Sequence, residues 1–363
     1  MKYLFFAVAL LLCVSCADLK KHDLPTPATE ETVEPSKTFQ VLEAERIPKV
    51  IDPLTGYFVD EAIAGSRPVA VVINNHSKAR PQSGIGQAAI YYEVLAEGNI
   101  TRIVAVFHNF DAQKIGPVRS ARDYFVDFAM DYDAIFVHHG GSPQGYAAIE
   151  SLGIADLDGM KLAQTFWRDQ ERVNIPGMYE HSSYTGEELI RSAQEQFEFR
   201  QTIREGLHVG FGFYTSPTEL PNSTPAERIS VPFGSDYGSS FEYNNGLYYK
   251  FIEGEPQIDA ETEEQLAVNN IIIQKTNMTV IPGDDAGRRD VDIVGGGDGF
   301  LISRGGYTHI TWEKALHESP TRWYTQSGET LTLNPGKTWI CVVSPDTDVT
   351  VEGAVEDIVE GAD

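Results

Sequence analysis

Apolar and polar positions change rhythm twice along this 363-residue chain. The first 16 residues, "MKYLFFAVALLLCVSC", are a single apolar run behind Lys2, and no periodicity survives from residue 17 to about 45. Between Arg67 and about Arg200, short apolar runs such as "PVAVVIN", "AAIYYEVLA", "RIVAVFH" and "AIFVHH" alternate with stretches of helical spacing. Runs of that length bounded by turn residues read as buried strands, and their alternation with helices predicts an α/β domain. Tyr124, Phe125, Phe128, Ala129 and Tyr132 repeat at helical spacing, so a helix is expected there, with Asp123, Asp127 and Asp131 on a solvated flank. From Gly206 on, strands dominate. "FEYNNGLYYKF" predicts a hairpin, because Asn245-Gly246 supplies the positive φ angles of a tight type I′ turn. The expected fold is an α/β N-terminal domain, a mixed sheet with helices, over residues 46–205. A smaller strand-rich α+β C-terminal domain follows over 206–345, then an acidic tail over 346–363.

The leader has the layout of an export signal and is too short to span a membrane comfortably. Val14-Ser15-Cys16 resembles a lipobox, in which the cysteine is lipidated and becomes the mature N-terminus, although Cys13 stands where leucine is usual. The expected product is extracytoplasmic and anchored to the cell membrane through Cys16. Pro25, Pro27 and Pro35 among polar residues make 17–45 an extended tether. Beyond the leader only Cys16 and Cys341 remain, which excludes a disulfide framework, and Cys341 in "TWICVV" reads as a core thiol.

Charge alters this picture in one place. The formal net charge is −25, which disfavours nucleic acid as a partner, yet the stretch from Arg67 to Arg122 holds seven basic and three acidic side chains, a net +4. A basic island in an acidic protein implies internal ion pairing or an anionic ligand. Its sharpest part is "GPVRSARDY". Ser120 is expected to cap a helix with Asp123 three residues on, placing Arg119 and Arg122 beside the free N–H groups of a helix start.

Two further constellations adjoin it. A two-residue loop at Gly98-Asn99 would pair Glu97 with Ile100 and set Arg102 across from Leu95, so that Glu93, Glu97 and Arg102 share one face. Such a cluster either pins strands together or supplies a general acid or base. "HHGGS" places His138, His139 and Ser142 after a buried strand, where α/β sheets collect ligand sites, and Asn74, Asn75 and His76 follow another strand in the same way. Adjacent histidines lack the spacing of a zinc pair, and no metal or cofactor is expected. "HHGGS" is no hydrolase signature, and "GGGDG" at Gly295 to Gly299 reads as a turn.

"RPVAVVINNHSKARPQSG", "EGNITRIVAVFH", "IGPVRSARDY" and "HHGGSP", in this order, resemble the YerB-like lipoproteins, the domain-of-unknown-function family numbered 3048. "EEQLAVNNIIIQ", "ITWEK" and "LNPGKTWICVV" are similar to that family's separate C-terminal domain. The resemblance implies a two-domain bacterial envelope lipoprotein without an established activity. Its recurrent polar positions match Asn74, Asn75, Arg80, Gln82, Ser83, Glu93, Glu97, Arg102, Arg119, Ser120 and Arg122, with a looser match around His181.

Three functions are consistent with these residues. The first is a membrane-anchored protein that binds an anionic envelope component, a peptidoglycan or teichoic-acid fragment, through Asn74, Asn75, Arg80, Gln82, Ser83, Arg102, Arg119, Ser120, Arg122 and Ser142. The second is an envelope hydrolase or transferase using Glu93, Glu97, His138 or His139 as acid and base. The third is a module that binds another envelope protein.

Overall fold

The computed structural model describes residues 49–235 and 237–353. The leader, Cys16, the tether and residues 354–363 of the acidic tail lie outside the described residues.

The first half contributes β1 (Val69–Asn74), β2 (Ile90–Glu97), β3 (Ile100–Phe107), β4 (Ile135–His138) and β5 (Asp156–Asp158). Its longer helices are α1 (Asp123–Met130), α2 (Pro143–Leu152) and α3 (Glu187–Gln196). Parallel pairing of β1 with β4 and of β4 with β5 is the α/β part expected from the alternating runs. The second half is strand-rich. It contributes β6 (Thr224–Pro225), β7 (Arg228–Pro232), β8 (Gly238–Asn244), β9 (Leu247–Ile252) and β10 (Asn270–Lys275). These are followed by β11 (Gly295–Ser303), β12 (Gly306–Lys314), β13 (Arg322–Thr325), β14 (Thr338–Val343) and β15 (Thr350–Glu352).

One sheet runs through both halves in the order β6, β12, β11, β10, β14, β2, β3, β1, β4, β5, with β13 on β12. The junction is β14, which lies parallel to β2 with Thr338 opposite Ile90 and Cys341 opposite Glu93. Strands at the centre of such a sheet are buried on both sides, and β1 "VAVVIN" is buried at every position. A second sheet contains β9, β8, β7 and β15 in that order, and β8 and β9 form the expected hairpin, with Asn245 at φ 51° and Gly246 at φ 90°.

Period-two alternation assigns each side chain to a layer. Val72, Val104 and Val106 share a core with Tyr124, Phe125 and Phe128 of α1 and with Trp312 and Trp323. Val71, Ile73 and Tyr91 face the other way, onto Ile229, Phe241 and Tyr248 of the second sheet. Trp339 on β14 stacks on Tyr91 at 4.6 Å and meets Phe241 edge-on at 5.9 Å, tying the sheets together.

Three local expectations are corrected. Asp127 and Asp131 are not solvated, because each is only 3% exposed. Asp131 accepts from Lys314 Nζ at 2.6 Å, the Thr321 amide and the Tyr92 hydroxyl, while Asp127 meets His317 Nδ1 at 2.8 Å. The aspartate flank of α1 is thus where the β12–β13 connection docks, a long-range contact that helical spacing alone does not reveal. Gly295 to Gly299 open strand β11 instead of a turn, since a Cβ at Gly297 or Gly299 would strike the Lys275 or Ile273 carbonyl of β10. Finally, Arg122 and not Ser120 holds the N-cap position of α1.

At the junction of the sheets lies a fully buried ion pair. Glu93 and Lys250 have 0% side-chain exposure, with Lys250 Nζ 3.6 Å from Glu93 Oε2. Asn75 Nδ2, Thr101 Oγ1, Ser239 Oγ and Trp339 Nε1 donate to the Glu93 carboxylate. Lys250 donates to Ser239 Oγ and the Phe251 carbonyl, and its charge lies 5.0 Å from the Trp339 ring. Removing one partner strands the other charge. Lys250→Met is therefore expected to lower stability in urea unfolding by about 3–5 kcal/mol. Glu242→Ala, which breaks an exposed pair with Arg228, is expected to cost less than about 1 kcal/mol. Equal effects would contradict the assignment of Glu93 and Lys250 to the framework.

Candidate functional site

The carboxylates expected together lie on opposite faces of the sheet. Arg102 stands opposite Val94 and not Leu95, while Leu95 pairs with Thr101 and Glu97 with Ile100. An extra residue, Ala96, is thus accommodated in β2 as a bulge, which turns Glu97 onto the face of Arg102 and leaves Glu93 on the other. Glu97 Oε1 meets Arg102 Nη2 at 2.6 Å, and Glu97 Oε2 meets Arg122 Nη2. The two guanidinium groups are almost fully buried. Arg102 also donates to the Ser120 carbonyl, Arg122 donates to the Ala121 carbonyl, and Arg122 Nε has no partner among the described residues. One carboxylate therefore answers two buried cations.

The segment Gly116 to Arg122 is extended across the ends of β1 and β4. Val118 pairs with Ile73, the Arg119 amide donates to the Val72 carbonyl, the His139 amide donates to the Arg119 carbonyl, and Ala121 bridges Gly141. Ser120 Oγ donates to the His139 carbonyl, so it has no cap to form at α1. This zippering delivers Arg119 to the end of β1.

There it joins Asn74, His76 and His181. The His76 amide donates to Asn74 Oδ1, which orients the Asn74 amide and makes Nδ2 the donor to His181 Nδ1 at 2.8 Å. His181 must keep a lone pair on Nδ1, so its proton sits on Nε2. His76 obeys the same rule, because its Nδ1 accepts from the Lys78 amide at 3.0 Å. The two rings lie 5.0 Å apart. Burial first, then the Arg119 charge, pushes His181 down to about 4. Burial and the Lys78 and Arg119 charges also lower His76. Both imidazoles are therefore neutral donors at pH 7. Among the described residues the Arg119 guanidinium is held by Glu180 alone, through the carbonyl at 3.3 Å and a carboxylate at 3.1 Å that is 69% exposed.

The Glu97 pair sits beside this cluster. Burial alone would raise the Glu97 carboxyl, but Arg102, Arg122 and then Arg119 outweigh it and hold it below the ordinary range. Burial and the Arg122 charge depress Arg102, against the pull of Glu97, and the guanidinium stays charged.

The remaining sequence-predicted residues are engaged elsewhere. Asn75 and Gln82, both fully buried, extend the Glu93 network, with Gln82 Nε2 donating to Asn75 Oδ1 at 2.9 Å. Ser83 pairs its backbone with Gly116, and Arg80 is paired with Glu253 of the second half. His138 is buried, with Nδ1 on the Gly140 carbonyl and Nε2 facing Asp156 at 3.3 Å. His139 accepts at Nε2 from Arg168 at 3.0 Å, so its Nδ1 proton points to Ser183 Oγ at 2.7 Å. In that tautomer it cannot take the serine's proton. Burial and Arg168 bring it down to about 4. Ser142 caps α2, accepting from the Gly145 amide at 3.0 Å. Among the described residues no three His, Cys, Asp or Glu side chains are gathered as a metal site needs.

Sequence reasoning did not unite His76, His181 and Arg119, because about 60 residues separate Arg119 from His181. The available signal was Asn74 directly after an apolar strand.

Fold and site together describe a protein whose two halves share a sheet and whose arginine- and imidazole-lined site lies at the end of a central strand. The family model for the N-terminal domain of proteins of unknown function DUF3048 matches residues 54–200, and that for the C-terminal domain matches residues 229–340. The chain belongs to the DUF3048 family. It is 37% identical over 313 residues to the Bacillus subtilis (strain 168) protein described as "Putative lipoprotein YerB", covering 83% of this chain and 88% of that one. The crystal structure of the YerB protein from Bacillus subtilis matches with a TM-score of 0.71 at 34% identity, over 83% of this chain and 100% of that one.

The depressed histidines have a consequence for acid stability. Unfolding restores His139 and His181 toward their ordinary value of 6.5, so between about 4 and 6.5 the unfolded chain binds more protons. Their contribution is present above that window and is lost as pH falls through it. Urea midpoints are expected to rise from pH 4.5 to pH 7, and less steeply in His181→Asn. An unchanged slope in that variant would contradict the assignment.

Proposed function

We propose that this protein is an extracytoplasmic lipoprotein, anchored through Cys16 and the 17–45 tether, that binds an anionic cell-envelope component at Arg119, His76 and His181. The leader, and similarity to a protein described as a lipoprotein, support the location. The ligand is a phosphate or carboxylate of a teichoic-acid or peptidoglycan fragment.

One observation carries the binding reading: two imidazoles are held as neutral Nε2–H donors beside a guanidinium whose carboxylate partner is exposed. An exposed ion pair contributes roughly 0–1 kcal/mol, so an incoming anion displaces Glu180 at little cost. Lys78, and the excess charge of Arg102 and Arg122 over Glu97, reinforce the positive field. The donors need no protonation, so binding persists at neutral pH.

Acid–base chemistry finds less support. His139 has both ring nitrogens engaged, Glu93 accepts from four side chains and faces the protein interior, and His76 and His181 offer protons instead of lone pairs.

Calorimetric titration of the soluble chain from Ala17 with muropeptides and teichoic-acid fragments tests this reading. Arg119→Ala is expected to weaken binding at least about tenfold, the loss of one charge-assisted contact. Glu180→Gln, which removes the competing carboxylate, is expected to tighten it. Product formation without Arg119 dependence, or equal affinity in Arg119→Ala, would overturn it.

A further inference from the structure

The surface beside Arg119 combines exposed apolar side chains with cations that no carboxylate answers. Residues 169–181 form a loop whose tip, "NIPGMYE" over 174–180, is exposed at every position except Met178. Ile175 is 52% and Tyr179 58% exposed, and Met160, at 67%, is the most exposed large apolar side chain among the described residues. Met160 follows Gly159, which packs so closely on His139 that a Cβ would strike the ring. His139 in turn accepts from Arg168, whose guanidinium lies 4.4 Å from the centre of the Tyr179 ring. These side chains therefore border one patch.

The loop is braced by cations bound to carbonyls. Arg168 donates to the Tyr179 carbonyl at 2.9 Å, and Arg172 to the Lys78 carbonyl at 2.9 Å and the Pro81 carbonyl at 3.3 Å. Lys78 Nζ comes within 3.4 Å of the place a Gly177 side chain would take. A carbonyl orients a cation without neutralising it, and among the described residues Lys78, Arg168 and Arg172 have no carboxylate within ion-pair distance. The loop and the side chains it touches hold Lys78, Lys114, Arg119, Arg168 and Arg172 against Asp169, Glu171 and Glu180, a net +2 in a chain of −25. Ile51, Tyr57 and Phe58 are also exposed, but they lie toward the other end of β1, where Asp52 meets His108 and Lys49 is paired with Asp60. Only the 169–181 loop joins apolar exposure to unanswered positive charge.

We propose that this loop docks on an anionic lipid bilayer, with Ile175 and Tyr179 entering the headgroup layer and Lys78, Arg168 and Arg172 facing lipid phosphates. Apolar and aromatic side chains ringed by Lys and Arg are suited to that interface. Residues 17–48 allow roughly 100 Å of reach between Cys16 and the described chain, enough for any face to meet the membrane. The proposal rests on the lipoprotein location argued above and not on the Arg119 anion site.

Hydrogen exchange read by mass spectrometry, on the full chain reconstituted in vesicles, tests it. With phosphatidylglycerol in the vesicles, exchange across 174–180 is expected to slow at least about tenfold relative to phosphatidylcholine alone, while 51–58 is unchanged. Lys78→Ala is expected to reduce that protection about fivefold, the effect of one cation near an anionic surface. Ile175→Ser with Tyr179→Ser is expected to abolish it with an unchanged unfolding midpoint, since both side chains are exposed. Arg119→Ala, which removes the anion site, is expected to lose no more than about fivefold, so the two readings fail separately. Equal protection in phosphatidylcholine, or with glycerol phosphate in place of vesicles, would overturn the proposal. So would protection that grows with protein concentration without lipid, the sign of a second copy on the loop, or protection of 51–58 in its stead.

Discussion

An ionised carboxylate in a protein interior survives only if nearly every lone pair is answered, and Glu93 sets that condition for this molecule. Its donors come from both halves: Asn75 and Thr101 from the first, Ser239, Lys250 and Trp339 from the second. The Ser239 and Trp339 contacts require that β14 be paired with β2 and that the second sheet close over Glu93. Burial of two opposite charges is not a strong source of stability. Its effect is to penalise any arrangement in which the halves meet in another register, since that would leave Glu93 or Lys250 alone in an apolar interior.

The same sheet separates framework from site by one residue of register. Before the Ala96 bulge β2 sends Glu93 toward the second sheet, and after it Glu97 turns to the arginines. Framework polar groups are saturated: Asn75, Gln82, His138 and Ser142 each have internal partners. Groups at the end of β1 differ, because the Nε2 atoms of His76 and His181 make no hydrogen bond with the described residues and Arg119 has a solvent-facing partner. That contrast in saturation distinguishes a candidate site from the equally polar interior beside it.

Much of the fold was legible in the sequence. Continuous apolar runs marked β1 to β4, Asn245-Gly246 marked the β8–β9 hairpin, and helical spacing marked the buried face of α1. Long-range contacts were not legible. Nothing local to Asp127 and Asp131 announces His317 or Lys314, and nothing near Glu93 announces Lys250, which is 157 positions away. The bulge at Ala96 was equally silent, and it reversed the expected facing of Glu93 and Arg102. For the site, charge inversion pointed to Arg119 and Arg122, but the tautomers that make His76 and His181 donors depend on hydrogen bonds to Asn74 and to the Lys78 amide, which only the folded backbone supplies.

The donor character of those two imidazoles is the centre of the functional reading, and long-range proton–nitrogen NMR of the histidine side chains observes it directly. At pH 7 His76 and His181 are expected as neutral rings protonated on Nε2, with those nitrogens shifting when phosphate or a muropeptide is added. Rings protonated on Nδ1, imidazolium forms, or Nε2 signals indifferent to every added anion would contradict it.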